Sequence, residues 1–563
     1  MANTLSLGSG NWGAKDSLLL GYYEDGTQFL PETFDVTRAT GGTRVNKAGL
    51  IETPAEIGSE LVVNGNFATD SDWTLGTGWT ISGGTANYDG LNAYQLLRQG
   101  TINAVVGKTY ILKYDVSNNS GSGGIYAKFG GVNLSGYNPS NGSYEFYIVA
   151  VSTDYIRFTP QLNFTGSIDN VSVKEYNDKN IARIDYLDDA KGALLTEPQS
   201  TNLIIYSEDF SNSGWSKLNV SLIGGFTSPS GNLTAYKSTT TAIYQPRVEE
   251  SITIPSVQTK YSFSVFVKKS NTPYVALVVY NGSSDTSTVF NLDTKSIVST
   301  TAENSSIKEI SNGWFRISMT KTIEPTANNN IWKIVNSNGV NPLVGVIGDE
   351  VLIWGAQLEA VNALGYNGEY ATSYIPTFNG IVSRNKDEVN NGGDVNTFGS
   401  EGVLYAEIAA LANDVTSRSL SLSSGSYSNR IELRYDSSSN GIRVFGVVGG
   451  VFQFDSSTTI TLTDITKQSK LALKYKENDF ALWVNGVEVY SDLSGSVFAE
   501  GVLNKLSFSD AQGASPFYGK TKNIQVFNTA LSDSDLLSLT TTGSVPYWTQ
   551  YSAMATTLNY TNK

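Results

Sequence analysis

The feature that most constrains this chain is a two-residue alternation of apolar and polar side chains in short runs. In residues 261–267 the odd-numbered side chains are apolar or aromatic, and residues 110–116 repeat the pattern at even positions. Gly, Asn and Ser clusters separate these runs, and helical periodicity is almost absent. We therefore predict an all-β, multidomain chain built from tandem antiparallel jelly-roll β-sandwiches.

An internal repeat organises the first two thirds of the chain. One copy opens with ELVVNGNFA at 60–68 and the other with NLIIYSEDFS at 202–211. Each copy continues through a Trp, a Gly-Gly turn and a Tyr-Gln pair to one of the alternating runs described above. One module is therefore expected twice, at 58–178 and 201–388.

Residues 389–545 show a different pattern and form a third expected domain. Two hairpins are predicted, one from segments 430–436 and 441–448 and one turning tightly at Asn485-Gly486. A short helix is expected near 532–539, because Ser532 or Ser534 can cap it and aspartates follow directly. The segment 519–539 resembles the last strand and helix of laminin-G-like, concanavalin-like domains. Residues 546–563 are expected to form a polar tail.

Charge and composition exclude several classes of protein. The net charge is −14 without any Lys/Arg cluster, so DNA and RNA are poor ligands for this chain. There is no Cys and no His, which excludes thiol nucleophiles, disulfides, imidazole bases and Cys/His zinc sites. No secretory signal and no membrane-length apolar run occur, so we expect synthesis in a cytoplasm without membrane insertion.

Catalysis and cofactors receive little support from the residues. The chain has 52 Asp and Glu residues, but no pair lies in a recognisable glycosidase motif, so we expect no enzyme activity. No cofactor is expected. A structural calcium ion is the one open alternative, near four residues at the first and last strands of the two modules, while the competing interpretation is that they are solvated turn and cap residues. They are Asn66, Asp169, Asp209 and Asp349.

Seven segments each contain a specific sequence motif that is not needed simply to form a strand. They are FDVTRAT (34–40), AGLIE (48–52), ARIDY (182–186), GALLTEPQSTNLIIYSEDF (192–210), WGAQLE (354–359), ATSYIPT (371–377) and VSRNKDEV (382–389). Together they resemble a signature of tailed-bacteriophage virion proteins, namely fibre and decoration proteins with carbohydrate-binding-module-like jelly rolls. The resemblance covers about 34–57 and 180–388. It implies a phage structural protein and names no ligand.

One departure from that signature predicts the domain order. In the usual pattern the AGLIE-like hairpin is followed almost at once by the ARIDY-like strand, whereas here the first repeat copy separates them. We therefore expect an inserted jelly roll at 58–178, with the flanking segments 1–57 and 179–200 forming one virion-anchoring β segment. The prediction is that 34–57 and 180–200 pair with each other.

Carbohydrate binding by a sandwich uses flat aromatic rings against sugar faces, with polar side chains bonding the hydroxyls. In the first copy, Asn92, Gln95 and Arg98 supply such polar groups close to aromatic residues. The alternative for each ring is a place in the core, which is common for aromatics in strands. The candidate carbohydrate-binding residues are Trp73, Trp79, Tyr88, Tyr94, Trp215 and Tyr244.

These observations lead to one main hypothesis and two alternatives. The main hypothesis is a phage virion protein, a head or tail fibre or a capsid decoration, whose sandwiches adhere to host surface polysaccharide. Its expected partners are other virion proteins of the capsid or tail and further copies of itself in a homo-oligomer, and its expected location is the virion. The alternatives are a purely architectural subunit without a glycan site and a glycan depolymerase.

Overall fold

The computed structural model describes residues 4–15, 17–24, 29–92, 94–134, 140–161, 163–253, 258–324, 330–362, 368–392, 398–457 and 460–541. Nearly all regular structure in these ranges is β-strand, and the strands pair antiparallel in stacked sheets. The prediction of an all-β chain of tandem sandwiches is confirmed. The tail predicted at 546–563 lies outside the described residues.

The chain folds into two compact units, residues 55–178 and residues 1–54 with 179–563. The strands before the smaller unit are β1 (Thr4–Gly8), β2 (Gly13–Lys15), β3 (Leu18–Glu24), β4 (Phe29–Thr37), β5 (Arg44–Val45) and β6 (Ile51–Glu52).

The smaller unit is one two-sheet sandwich, called here the first sandwich. Its core collects the apolar positions of the alternating strands, including Leu112, Ile125 and Phe158, each fully buried. Its strands are β7 (Glu56–Glu60), β8 (Thr74–Leu75), β9 (Trp79–Ser82), β10 (Thr85–Tyr88), β11 (Leu97–Gln99), β12 (Thr109–Ser117), β13 (Ile125–Phe129), β14 (Val132–Asn133), β15 (Gly142–Val149), β16 (Ile156–Pro160) and β17 (Gly166–Asn177).

The chain then passes through short strands into the second sandwich, residues 203–362 of the larger unit. The short strands are β18 (Ile184–Asp185), β19 (Ala193–Thr196) and β20 (Ser200–Asn202). The second sandwich contains β21 (Ser216–Leu218), β22 (Val220–Phe226), β23 (Ala235–Thr240), β24 (Arg247–Ile252), β25 (Thr259–Lys269), β26 (Tyr274–Tyr280), β27 (Asp285–Asn291), β28 (Ser296–Thr300), β29 (Asn304–Glu309), β30 (Trp314–Ile323), β31 (Asn330–Asn336) and β32 (Glu350–Ala360).

The two sandwiches have the same strand order, as the sequence repeat predicts. One sheet of the first runs β15-β12-β17-β10-β9, and its counterpart in the second runs β30-β25-β32-β23-β22 with β29 added outside β30. The other sheet runs β14-β13-β16-β11-β8 in the first and β27-β26-β31-β24-β21 in the second, with β28 added outside β27. Equivalent strands of the two sandwiches can therefore be compared.

The remaining strands form a third sandwich, in which local predictions are confirmed. Strands β37 and β38 make the first predicted hairpin, and Asn485-Gly486, both at positive φ, turns between β42 and β43. Ser532 caps α1 by accepting from the Asp535 amide. Strand β33 (Val382–Arg384) pairs with β20 in a separate two-stranded sheet. The elements of the third sandwich are β34 (Glu388–Asn390), β35 (Gly402–Ala410), β36 (Arg418–Ser426), β37 (Asn429–Tyr435), β38 (Gly441–Val448), β39 (Val451–Asp455), β40 (Ile460–Thr461), β41 (Ser469–Tyr475), β42 (Phe480–Val484), β43 (Val487–Asp492), β44 (Lys505–Ser507), β45 (Gly519–Phe527) and α1 (Asp533–Thr540).

The N-terminal strands belong to this third sandwich rather than to a separate segment. Strand β1 pairs with β45 along its whole length, and β3 and β4 extend the same sheet to β34. Leu7, Leu19 and Phe34 are buried in one core with C-terminal residues such as Leu404 and Ile524. The sequence boundary drawn at 389 therefore does not separate two sheets, because the apolar face of the N-terminal strands is buried only against β45 and its neighbours.

Hydrogen bonds join the two segments that flank the first sandwich in sequence. The Arg38 amide donates to the Asn180 side chain at 2.8 Å, and the Val45 amide donates to the Asp185 carboxylate at 3.0 Å. The Tyr186 amide donates back to the Val45 carbonyl at 2.9 Å. Residues 38–45 and 180–186 thus lie side by side, although the whole smaller unit separates them in sequence.

A fully buried group of charges, called here the buried charge cluster, lies where these segments meet. It comprises Arg38, Arg183, Glu197, Arg384 and Asp387, whose side chains are each at most 4% exposed. Arg38 donates to Asp387 at 2.8 Å, and Glu197 lies 2.7 Å from Arg183 and 3.0 Å from Arg384. Arg183 also bonds Asp387. Every member lies in a segment of the signature described above, so those motifs supply the charges that hold the N-terminal, central and C-terminal segments together.

Candidate functional site

Three of the six predicted aromatics lie in the core of the first sandwich. Trp73, Trp79 and Tyr88 are 9%, 4% and 3% exposed. The Trp79 indole donates to the Gln95 carbonyl at 2.9 Å, and the Trp79 and Tyr88 ring centroids are 4.9 Å apart. Burial raises the pKa of Tyr88, with the nearby Asp89 carboxylate adding to the shift. These rings stabilise the sandwich and present no open face to a ligand.

Trp215 lies in the core of the second sandwich. It is 1% exposed, its indole donates to the Tyr206 carbonyl at 2.8 Å, and its ring lies 4.8 Å from that of Phe210. Four of the six predicted rings are therefore core residues, and a sugar-stacking role remains a proposal for the other two.

Tyr94 and Tyr244 are those two, and both are exposed, at 64% and 69%. Each stands three residues before an equivalent strand, β11 in the first sandwich and β24 in the second. The Tyr94 amide donates to the carbonyl of Pro160, the last residue of β16, so Tyr94 lies at the end of the β11–β16 sheet. The two sandwiches each carry one exposed tyrosine at the same topological position.

The outer face of that five-stranded sheet carries several charged and polar side chains. Alternation along β16 buries Ile156, Phe158 and Pro160 and leaves Arg157 and Thr159 outward. Strand β13 does the same with Tyr126 and Lys128, and β11 with Arg98. The local sequence thus determines which side chains share this face.

Strand register brings three cations into one line, called here the cationic row. Arg98 is directly opposite Arg157 across β11 and β16, and Arg157 is directly opposite Lys128 across β16 and β13. Arg157 and Lys128 are about one quarter exposed. One carboxylate, that of Asp154, lies nearby, 3.3 Å from Lys128 and 3.5 Å from Arg157. Three positive charges therefore stand against one negative charge.

Tyr155 holds the two arginines in place. Both guanidinium groups lie over its ring, Arg98 at 5.6 Å and Arg157 at 5.7 Å from the centroid. Arg98 also donates to the Tyr155 hydroxyl at 3.0 Å. This hydrogen bond, with that from Arg157, holds the pKa of Tyr155 below its usual value. The Arg98 guanidinium has no carboxylate within 4.0 Å among the described residues.

The equivalent face of the second sandwich has balanced charges. Lys333 lies on β31, the strand equivalent to β16, and has Glu249 directly opposite on β24 and Val278 directly opposite on β26. Lys333 is opposite Glu249, bonds Asp285 at 2.7 Å and lies over the Tyr280 ring. The excess of positive charge is therefore particular to the first sandwich.

Several hollows occur among the described residues of the larger unit, including one of about 480 Å³ that is lined by Lys386 and Tyr518 and by no carboxylate. A cleft of about 600 Å³ is lined by Asp185, Asp188 and Lys520, but these charges pair with one another at 2.5 to 2.8 Å. A smaller hollow of about 320 Å³ contains Glu208 and Asp209. The hollow around Glu208 and Asp209 is relevant to catalysis, because glycoside hydrolysis uses two carboxyl groups that lie in different environments.

The pKa values of the two carboxyl groups in the smaller hollow shift in opposite directions. Burial raises the pKa of Glu208, which accepts bonds of 3.2 Å from the Trp354 indole and the Tyr374 hydroxyl. Burial also disfavours the charge on Asp209, but bonds from Ser211 and Tyr236 outweigh it and lower the pKa of Asp209. Glu208 thus serves as the acceptor for two buried donors of the second sandwich.

The four residues considered for calcium do not form a ligand set. No group of three or more Asp or Glu side chains placed to hold a metal ion occurs in the part of the chain that the structure describes. Asp169 accepts from the following amide at 2.7 Å, and Asp209 accepts from the Ser211 amide at 3.0 Å. Asn66 is exposed, and burial raises the pKa of Asp349. A calcium site therefore remains only the expectation stated from sequence.

Among the described residues, no helix has the length and apolarity needed to span a membrane. Comparison with protein-family models and with curated proteins gives no match.

Several solved structures show limited similarity. One is the CBM40 of a Ruminococcus gnavus IT-sialidase bound to α2,3-sialyllactose, at 21% identity over 25% of this chain and 82% of that chain, with a TM-score of 0.20. Another is domain 4 of AbnA, a GH43 arabinanase from Geobacillus stearothermophilus, in complex with arabinotriose, at 14% identity, 31% and 84% coverage and a TM-score of 0.24. The CBM22 tandem of Paenibacillus barcinonensis Xyn10C is 9% identical, covering 54% of this chain and 98% of that one, with a TM-score of 0.20. TM-scores this low carry no argument about function.

Sequence reasoning found Arg98 but missed its neighbours. The segment DYIRFTP at 154–160 has the alternation that places Arg157 outward, and IYAKF at 125–129 places Lys128 outward. These signals were present in the sequence. Their alignment with Arg98 depends on strand register, which no local pattern specifies.

Proposed function

We propose that this chain is a non-enzymatic glycan-binding protein displayed on a tailed-phage particle, as a fibre or decoration subunit that adheres to host surface polysaccharide. The observation that carries the glycan-binding part is the outer face of the β11–β16 sheet. There Arg98, Arg157 and Lys128 present hydrogen-bond donors from three adjacent strands, with the exposed Tyr94 ring at the end of the sheet.

This face suits the recognition of a chain molecule rather than of a small enclosed ligand. Sugar hydroxyls and charges need several directed donors, and an exposed ring offers apolar area at low entropic cost. An open face buries less of its ligand than a pocket does, so each contact is weak. Many copies on one particle would raise the effective concentration and supply avidity.

The virion assignment is supported by the motif resemblance. The motifs contribute Arg38, Arg183 and Asp387 to the buried charge cluster, which gives them a physical role in assembling the larger unit. We propose accordingly that the larger unit attaches to other virion proteins and to further copies of this chain, while the first sandwich is an inserted display domain.

A glycan depolymerase is the second candidate function, and the Glu208–Asp209 hollow is the observation that favours it. A raised pKa on one carboxyl group and a lowered pKa on its neighbour suit an acid and a base. The engagement of Glu208 by Trp354 and Tyr374 favours a structural role instead.

The experiment that tests the proposal uses the full-length protein on an array of host capsular, cell-wall and lipopolysaccharide glycans. We expect binding, and a loss of signal with Tyr94→Ala but not with Leu91→Ala, since Leu91 is an exposed neighbour of similar position. No binding to any host glycan at millimolar concentration would favour a purely architectural subunit. Release of reducing ends from host polysaccharide, abolished by Glu208→Gln, would favour the depolymerase. Antibody labelling of purified particles tests the virion location.

A further inference from the structure

The cationic row carries an inference about the kind of glycan that is bound, and this inference rests on the proposed function. We infer that the first sandwich binds acidic glycans, and that Arg98 and Arg157, positioned by Tyr155, grip a carboxylate of the sugar chain while Lys128 adds a third positive charge.

The cations of the cationic row repel one another in the unbound sandwich. Like charges placed directly opposite each other on neighbouring strands destabilise a sheet, and here two successive cross-strand pairs, Arg98–Arg157 and Arg157–Lys128, are both like-charged. Asp154 offsets one of the three charges. A bound anion would relieve the remaining repulsion, so the bound state gains an interaction that the unbound sandwich lacks.

The two arginine side chains of the row are preorganised by their contacts with Tyr155. A free arginine loses side-chain entropy when a ligand immobilises it, and this loss reduces affinity. Tyr155 already restricts both guanidinium groups, through its ring at 5.6 and 5.7 Å and through the hydroxyl bond from Arg98. Tyr155 is therefore a positioning residue, and the ligand meets two arginines whose orientation is set before it arrives.

A carboxylate is the anion that the geometry of the row favours. The planar guanidinium fork matches the two oxygens of a carboxylate, and adjacent strands separated by about 4.8 Å keep the row within reach of one sugar residue and its neighbour. A nucleic acid would need a far larger basic surface than three cations on a chain of net charge −14. A uronic-acid polysaccharide presents single carboxylates at regular intervals. Each protein copy has one cationic row, so each copy can bind one such carboxylate along the polymer.

The second sandwich provides a comparison for the first within the same chain. The duplicated sandwich has the same strand order, yet on its equivalent strands Lys333 has Glu249 and Val278 directly opposite and pairs with Asp285. The fold therefore does not require cations at these positions. The row is a property of the first sandwich alone, as a ligand site would be.

The experiment measures binding of the full-length protein to immobilised polygalacturonate and to the same polymer after complete methyl esterification, at low salt. We expect binding to the acid form at least tenfold tighter than to the ester. Raising the salt to 1 M, where the Debye length falls to about 3 Å, should remove most of that preference. Arg98→Gln and Arg157→Gln should each reduce the affinity for polygalacturonate at least tenfold, and Tyr155→Phe severalfold.

The matched control is Arg443→Gln, which removes the same charge from the third sandwich, where Arg443 pairs with Asp455 at 2.6 Å. It should leave polygalacturonate binding unchanged. Thermal melting checks that the variants fold: Arg98→Gln should melt close to wild type, because relief of a like-charge pair offsets the loss of the Tyr155 contacts. Loss of binding together with a large loss of stability in Arg98→Gln and Arg157→Gln would show a structural role and overturn the inference.

The remaining outcomes separate the inference from the proposed function. Equal binding to polygalacturonate and to its ester would overturn the acidic-glycan inference and leave glycan binding standing. Dextran sulfate bound as tightly as polygalacturonate would overturn the carboxylate preference. Failure of both polygalacturonate forms, with binding to a neutral glycan on the array, would overturn the inference alone, and failure on the array as well would overturn both.

Discussion

Arg38 and Asp387 are 349 residues apart in sequence, and their side chains meet in a buried hydrogen bond of 2.8 Å. The pair belongs to the buried charge cluster, which joins the N-terminal strands to the strands that follow the second sandwich. Buried ions are costly to desolvate, so their stability depends on every partner remaining in place.

Asp387→Asn should therefore destabilise the larger unit by about 3 to 5 kcal/mol, because it leaves arginine charges buried without their counter-ion. Urea unfolding followed by tryptophan fluorescence measures the change. Asp293→Asn is the matched control, since Asp293 pairs with Lys269 at the surface and such pairs contribute about 1 kcal/mol or less. Equal midpoints for the two variants would contradict the assigned role of the cluster.

Acid should weaken the same cluster. Burial disfavours the charge on Glu197, but Arg384 and Arg183 outweigh it and lower the pKa of Glu197 to about 2. The unfolded chain takes up this proton near pH 4, above the folded pKa, so the stabilisation is present above about pH 4 and is lost as the pH falls toward 2. Urea midpoints between pH 7 and pH 2.5 measure the loss. Glu197→Gln should flatten this part of the curve, whereas the exposed-pair variant Glu309→Gln should not.

Glu250 should show the opposite pH dependence. It is 7% exposed in the second sandwich, and burial raises the pKa of Glu250 to about 7. The folded state holds this proton more tightly than the unfolded chain, so stability from this group is present below about pH 4 and is lost as the pH rises through 7. Glu250→Gln should therefore raise the stability at pH 8, by up to about 3 kcal/mol. An unchanged urea midpoint at pH 8 would contradict the burial of a charged carboxyl group there.

Gly42 should tolerate no side chain. A Cβ atom at this position would lie 3.1 to 3.2 Å from atoms of Arg38, Arg183 and Arg384, which the buried charge cluster holds in place. Gly42→Ala should cost about 1 to 3 kcal/mol through overpacking. Gly100→Ala is the control, because a Cβ there meets no atom within 4 Å. Thermal melting of both variants distinguishes crowding from a general effect of replacing glycine.

The local sequence was sufficient for the elements whose determinants lie within a few residues. Alternation in residues 110–116 and 261–267 assigned the core-facing positions of β12 and β25, Asn485-Gly486 specified a hairpin, and Ser532 marked a helix start. Repetition of the pattern predicted two sandwiches of the same strand order. Turn and cap chemistry and the period of a strand act over short distances, so they can be recognised without knowledge of the rest of the fold.

Only the tertiary structure decided which aromatic rings are covered, which cations share a row and where the N-terminal strands pair. Trp79 and Tyr94 look alike as turn-proximal aromatics in the sequence, yet one is 4% and the other 64% exposed. Burial depends on the opposing sheet, and the alignment of Arg98 with Arg157 depends on strand register. Both are set by interactions between distant residues, which is why the composition and the alternation determined a β-sandwich chain and long-range packing alone placed its candidate binding face.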